Sequence, residues 1–335
     1  MLVRSLAELR GNRGLLDRLR RTLLPPAAIF SGPEGVGKRT AAILLAAKAN
    51  CSNPEAEDLC GSCSGCRKSL ELVHPDLLCF PQGEGASLGI DEMRTLRREA
   101  QFRPFEGKNR FFIVDGAERL TVEAQNCLLK TLEEPPPTSH IVLVTATPEA
   151  LLPTIRSRCC LFRFSPLSRS DVAELIRQQP DLEEPEWRVA FSQGSIGRAL
   201  ELDPQQLRNE CEVLLQLLEA WARREGWTAV IRTCDAPPLS SLLRRKEETH
   251  RLIEILQTLC YDLYLLLERN DTPELLHPEL GKRLRQVARH VDLPRVAALL
   301  DETSRARRDL ERNLGPQICF ETLWLRAEGD LPKTG

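Results

Sequence analysis

The chain has 335 residues, enough for two or three domains and too many for one ordinary core. Charged residues make up 28% and hydrophobic ones 42%, a globular composition, and a formal net charge of −2 excludes a globally basic nucleic-acid binder. No apolar run reaches the roughly 18 residues of a membrane span, and no targeting signal is read, so no membrane contact and a cytoplasmic location are expected.

Residues 1–24 are rich in Arg and Leu, but Glu8 and Asp17 interrupt any leader-like apolar core, so the stretch is expected to form an amphipathic helix of the fold. Strand-like apolar runs follow at 27–31, 76–80, 110–115, 140–145 and 161–164, alternating with helical patterns. The middle runs are almost wholly apolar, as in strands covered on both faces. Strands separated by crossover helices imply a mostly parallel sheet.

Directly after the first strand, residues 32–40 read Gly-Pro-Glu-Gly-Val-Gly-Lys-Arg-Thr, ahead of an apolar helix at 41–49. Strand, Gly-rich loop and helix in that order form the context a phosphate-binding loop requires. Gly32, Gly35 and Gly37 let backbone N–H groups turn inward, Lys38 brings charge to the β- and γ-phosphates, and the helix N-terminus adds partial positive charge. The competing reading is a plain Gly-rich turn. The hydroxyl residue expected after the lysine is replaced by Arg39, and Thr40 lies about 100° further round the helix, so Mg²⁺ should be poorly held. ATP or ADP is expected to bind weakly or to stay unhydrolysed.

Next come Cys51, Cys60, Cys63 and Cys66, spaced C-x8-C-x2-C-x2-C among turn residues that include Pro54. Four thiolates at this spacing suit a tetrahedral structural Zn²⁺, with unmetallated or redox-active thiols as the alternative. Twelve cysteines in a cytosolic chain argue for metal or burial over disulfides, and the other eight (79, 127, 159, 160, 211, 234, 260 and 319) are read as core residues. Arg94, Arg97, Arg98 and Arg103 form a basic group around a predicted helix, readable either as a phosphate-tracking surface or as a solvated face.

The third strand ends at Asp115, the second acidic position of such a site, and Gly116 follows where a water-orienting Glu is common. Spacing gives Glu118 no reason to point into the site. Thr121 can cap the next helix, which Glu134 and the prolines 135–137 end. From about Ser165 the strand signal disappears: Ser170 can cap a helix through Ile176, and Gly194-Ser195 precedes another short one. Residues 206–330 read as all-helical. Leu252, Leu256, Leu259, Leu263 and Leu266 form a helical stripe, read as bundle interior in preference to a subunit contact. Asp271, Thr272 and Pro273 interrupt it, and Pro294 can start another helix.

Together these features resemble the clamp-loader branch of the AAA+ proteins over about residues 1–200. The cysteine module, the helix within 124–136 and Ser157-Arg158-Cys159 are similar to that branch's zinc module, its helix after the second acidic motif and its SRC motif. His74-Pro75-Asp76, Arg103-Pro104-Phe105-Glu106-Gly107 and Val114-Asp115-Gly116-Ala117 look more like the non-hydrolysing bacterial subunit than the active tau/gamma subunit. The resemblance implies an α/β P-loop (AAA+) domain at 1–165 with a zinc-binding insertion at 51–66, a small helical lid at 166–205, and an all-α C-terminal collar at 206–330. It implies that Arg158 is a finger reaching a neighbouring subunit's ATP, that Thr145 is sensor 1, and that Arg198 is sensor 2 beside the chain's own nucleotide. Implied partners are gamma/tau and delta subunits in a hetero-pentamer, the sliding clamp and primer–template DNA. Arg158 taken alone reads as a surface or salt-bridged arginine, and Thr145 as ordinary turn chemistry. The competing functions are an active tau/gamma-type ATPase, or a zinc-ribbon P-loop regulator outside replication.

Overall fold

The computed structural model describes residues 4–22, 24–53, 58–81, 88–268, 275–312 and 314–328. Pro54, the helix-interrupting Asp271, Thr272 and Pro273, and parts of the predicted N-terminal helix (Met1, Leu2, Val3 and Leu23) lie outside the described residues. In chain order the elements are α1 (Arg13–Arg21), β1 (Ala27–Ser31), α2 (Lys38–Ala49), α3 (Ser64–Leu70), β2 (Leu77–Phe80), α4 (Ile90–Ala100), β3 (Arg110–Asp115), α5 (Val122–Glu133), β4 (Ser139–Thr145), α6 (Pro153–Arg156) and β5 (Cys160–Arg163). An all-helical remainder follows, with α7 (Arg169–Arg177), α8 (Pro185–Phe191), α9 (Ile196–Glu201), α10 (Pro204–Ala222), α11 (Trp227–Asp235), α12 (Leu239–Leu242), α13 (Lys246–Glu268), α14 (Gly281–Ala288), α15 (Leu293–Glu311) and α16 (Pro316–Glu328). They group into two compact units, Met1–Pro185 with Ser192–Glu201, and Glu186–Phe191 with Leu202–Gly335.

The first unit is built on a parallel five-stranded sheet in the order β2-β3-β4-β1-β5. This is the mostly parallel sheet that the alternation of apolar runs and helices implied, in the α/β class that the resemblance implied. Every residue of β1 and β4 is buried, and all of β3 but Asp115, because helices cover both faces. One face packs Phe30, Phe111 and Val144 against α2, and the other packs Ile29, Phe112 and Leu143 against α4 and α5. Since β1 lies between β4 and β5 while the chain goes from β1 out to β2, the strand order reverses at β1. The crevice at the C-terminal ends of β1 and β4 is where such sheets bind ligands.

Local chemistry sets the helix ends. Thr121 Oγ1 accepts from Ala124 N–H at 3.3 Å at the start of α5, and Glu134 followed by Pro135 stops it. The predicted N-terminal helix is shorter than expected. Asn12 adopts a left-handed φ of 49°, which a continuing helix cannot contain, so α1 begins only at Arg13. The cap of α7 is Ser168, not Ser170: its Oγ accepts from Asp171 N–H at 3.1 Å.

The second unit is a helical bundle. Leu252, Leu256, Leu259 and Leu263 of α13 are fully buried, and Leu266 packs at the edge of the same core. Each such leucine contributes about 1.5–3 kcal/mol of transfer free energy. The stripe is therefore bundle interior. Asp292 caps α15, with Pro294 in its first turn. Among the described residues no helix is long and apolar enough to cross a membrane.

Candidate functional site

The phosphate loop sits at the C-terminal end of β1. Register pairs Ser31 with Thr145 on one side and with Arg163 on the other, and Asp115 with Val144. Gly32, Asp115 and Thr145 thus lie along one edge of the sheet. Helix α2 is buried along Ala41–Ala47, so the loop is anchored to an element with almost no solvent face.

The loop closes on its own lysine. Lys38 Nζ donates to Gly32 O and Pro33 O, both at 2.6 Å, and the side chain is 6% exposed. Burial pushes the ammonium below its ordinary pKa, against the opposing pull of Glu118, Glu34 and Asp115. Two glycines are required by space as well as by φ. A Cβ on Gly32 would lie 2.1 Å from Phe164 O, and one on Gly35 (φ +69°) would lie 2.1 Å from Ser195 Oγ. Gly197 N–H donates to Gly35 O at 3.1 Å, so the first turn of α9 clasps the loop. Arg198 follows directly, with its N–H on Ser195 Oγ and its Nη1 3.4 Å from Gln193 Oε1.

Beside the loop, Asp115 meets a cation of the chain itself. Arg39 Nη1 lies 3.5 Å from Asp115 Oδ2, so the carboxylate that would face a divalent cation faces a guanidinium. Thr40 stands one position further along α2, half-buried. Gly116 has φ +75°, and a Cβ there would strike Arg119 Nε at 2.5 Å. Glu118 is a residue that sequence spacing missed. Its Oε2 accepts from Ala146 N–H at 3.3 Å, and it is the strongest acidic influence on Lys38, so it faces the loop. The short helical turn Ala117–Arg119, bound back by Arg119 N–H to Gly116 O, carries it there. Thr145 is buried, and its Oγ1 accepts from Thr147 N–H at 3.1 Å.

Arg158 lies between α6 and β5, at the start of β5. Cys160 pairs with Ala28, while the phosphate loop begins beyond the far end of β1. The three steps from Cys160 to Arg163 put about 10 Å of strand between the start of β5, which Arg158 precedes, and the loop's level. The guanidinium is held locally: Nε donates to Glu133 Oε1 at 2.7 Å and Nη1 to Thr154 O at 2.9 Å.

The four cysteines converge, with all Sγ atoms within 4.8 Å of one another. Cys63 N–H points at Cys60 Sγ and Cys66 N–H at Cys63 Sγ, both at 3.4 Å, and Cys63 caps α3. Cys60 and Cys66 Sγ are 3.9 Å apart, close to the edge of a tetrahedron with Zn–S bonds of about 2.3 Å. The donor set fits Zn²⁺. Burial would raise the Cys63 thiol, but hydrogen bonds from Ser52 and Cys66 bring it down to about 5. The Cys63 and Ser62 amides lower Cys60, whereas burial pushes Cys66 up. Of the remaining cysteines, 211, 234, 260 and 319 are buried as expected and 79, 127 and 159 partly so, but Cys160 is exposed on the edge strand β5.

Two motifs distant in sequence prove to be one device. Asp76, fully buried, accepts from Phe105 N–H at 2.7 Å and from Glu106 and Gly107 N–H at 2.8 Å. Asn50 Oδ1 accepts from Lys108 and Asn109 N–H. In the basic group, Arg94 pairs with Asp91 and Arg98 with Glu99.

The family model described as DNA polymerase III, delta subunit matches residues 13–168. The chain is 28% identical over 313 residues to DNA polymerase III subunit delta' of Bacillus subtilis, covering 93% of each. It is 32% identical over 217 residues to DNA polymerase III subunit delta' of Pseudomonas aeruginosa, covering 61% of this chain and 66% of that one. Over 135 residues it is 42% identical to DNA polymerase III subunit gamma/tau of Mycobacterium tuberculosis, 39% of this chain but 23% of the relative. Among solved structures, a gamma subunit-related protein of Thermotoga maritima aligns with a TM-score of 0.42 and 20% identity, covering 93% of this chain and 98% of that one.

Proposed function

We propose that this chain, which belongs with the DNA polymerase III delta-prime clamp-loader subunits, is the ring member that grips phosphate without cutting it and lends an arginine to a neighbour. The observation that carries the reading is Arg39 at 3.5 Å from Asp115, a cation of the chain itself at the carboxylate where ATPases hold their metal. Gly116 in the position of a water-orienting carboxylate supports it. Arg158 supports the other half of the reading. It is permanently charged and forked, it precedes a strand that runs about 10 Å before reaching the level of its own loop, and it is thus suited to phosphate oxygens of another chain.

In this account residues 1–165 are the P-loop domain, 166–205 the lid and 206–330 the collar that joins gamma/tau and delta subunits in a hetero-pentamer. The ring opens a sliding clamp and places it on primer–template DNA, with Arg94, Arg97, Arg98 and Arg103 as phosphate contacts. Cys51, Cys60, Cys63 and Cys66 hold a structural Zn²⁺ that stiffens the 50–66 loop when bound. Gly32, Gly35, Gly37, Lys38 and Thr40 cradle nucleotide, with Thr145 and Arg198 as its sensors. The test is ATP turnover by a complex reconstituted from this chain with gamma/tau and delta subunits. Replacing Arg158 by Ala should preserve assembly and cut turnover by about 10³-fold or more, the scale of a lost arginine finger. Unchanged turnover refutes the finger.

Glu118 supports a second reading, an active tau/gamma-type ATPase, because its carboxylate faces the loop from a position Gly116 has vacated. That reading requires Mg²⁺-dependent turnover by this chain that Glu118→Gln abolishes.

A further inference from the structure

Resting on the reading of this loop as a nucleotide pocket without hydrolysis, we propose that it takes a nucleoside di- or triphosphate free of divalent metal, with the Arg39 guanidinium standing in the metal's place. The residues do not fit Mg²⁺. That ion demands near-octahedral oxygen ligands at about 2.0–2.1 Å. The hydroxyl that would supply one is absent at position 39, and the carboxylate that would supply another is engaged by Arg39 Nη1 at 3.5 Å. A dication seated at Asp115 would lie in like-charge contact with the guanidinium.

The pocket is nevertheless built for phosphate. Lys38 has three N–H donors, and the loop carbonyls of Gly32 and Pro33 accept two of them at 2.6 Å. The third remains for a phosphate oxygen, and the same two bonds hold the loop folded before any ligand arrives. Gly197 N–H on Gly35 O fixes the loop from the other side at 3.1 Å. The N-terminus of the twelve-residue α2 adds its partial positive charge.

Arg39 completes this charge balance. An unpaired Asp115 would repel a polyphosphate, and the ion pair removes that repulsion. The guanidinium carries five N–H donors, and its contacts to Asp115 and to the Cys79 thiol still leave donors for phosphate oxygens. Its side chain is 47% exposed, so the guanidinium stays accessible to a bound ligand. A fixed cation also differs from Mg²⁺ in function. It neutralises charge at all times and activates no water, so binding is separated from hydrolysis.

The experiment is calorimetric titration of the full chain with ADP, ATP and pyrophosphate, each in excess EDTA and in saturating Mg²⁺. Saturable nucleotide binding in EDTA is expected, with Mg²⁺ tightening it by less than about threefold. Arg39→Thr restores the hydroxyl: its affinity in EDTA should fall about tenfold, and Mg²⁺ should recover that loss. The wild-type comparison needs no variant, so a misfolded Arg39→Thr chain leaves the test intact. Absence of saturable binding in EDTA, or tightening by Mg²⁺ beyond about threefold, overturns the inference. Pyrophosphate binding as tightly as ADP overturns the nucleoside assignment. Binding that requires Mg²⁺ without turnover sinks this inference alone, whereas ATP turnover by the lone chain sinks the non-hydrolysing reading beneath it.

Discussion

Asp76→Asn is expected to be among the most damaging single-atom changes in the first unit. The carboxylate is fully buried and accepts three backbone N–H groups at 2.7–2.8 Å, and Arg110 Nε lies 3.6 Å away. An amide keeps one acceptor oxygen and turns an NH₂ toward donors, stranding at least one buried N–H at a cost of about 1–3 kcal/mol. It also removes a charge partner from Arg110, itself 5% exposed, although Glu99 at 3.3 Å retains part of that pairing. The sum is a loss of about 3–5 kcal/mol, in the range for breaking a buried ion pair. Denaturant unfolding of the full chain, following the first unit, measures it. Burial alone would raise the Asp76 pKa, but hydrogen bonds from Gly107, Phe105 and Glu106 outweigh it and lower the value. A lowered folded-state pKa means the stabilisation is present above the unfolded carboxylate value, about pH 4, and drains as the pH falls through the folded value. The Asn variant should therefore lose less stability than wild type on acidification below about pH 4. A loss under about 1 kcal/mol with an unchanged acid limb would refute the account of Asp76 as the anchor of the 103–107 loop.

Three further outcomes follow from the geometry. Metal analysis of chain purified without chelator should find about one zinc per chain, and Cys63→Ser should release it, since structural zinc needs all four ligands; a metal-free wild-type chain would contradict this. Gly35→Ala should cost at least about 1–2 kcal/mol in thermal or denaturant unfolding, from the left-handed φ and the collision with Ser195. Gly14→Ala in α1, where a Cβ meets nothing within 4 Å, should instead be neutral or stabilising by up to about 1 kcal/mol. Arg158→Ala should leave unfolding almost unaltered, because its ion pair with Glu133 is solvent-exposed and worth less than about 1 kcal/mol.

The sheet was legible because strands covered on both faces are apolar throughout, and these runs are short and separated by helical patterns. Runs 27–31 and 110–115 match their strands end to end. The cysteine spacing likewise announced a cluster that the backbone then closes. Ends of elements were less legible, because they depend on one dihedral or one hydroxyl. Asn12 in the left-handed region shortens α1, and Ser168 wins the cap of α7 because its Oγ, not that of Ser170, meets Asp171 N–H.

What the sequence could not reveal is contact between distant segments. Gly35 against Gly197, and Asp76 under the 105–107 amides, join residues whose separation along the chain carries no local signal. Glu118 is the instructive miss. Counting from Asp115 gave it no reason to point into the site, but the tight turn at Gly116 brings it to face the loop. A left-handed glycine there would have been the only cue.

Steady-state ATP hydrolysis by the isolated, pure chain with Mg²⁺ tests the central claim most directly. With Arg39 on Asp115 and glycine at 116, phosphate release should stay at the uncatalysed background, and Glu118→Gln should not alter it. Sustained Mg²⁺-dependent turnover that Glu118→Gln removes would contradict the account.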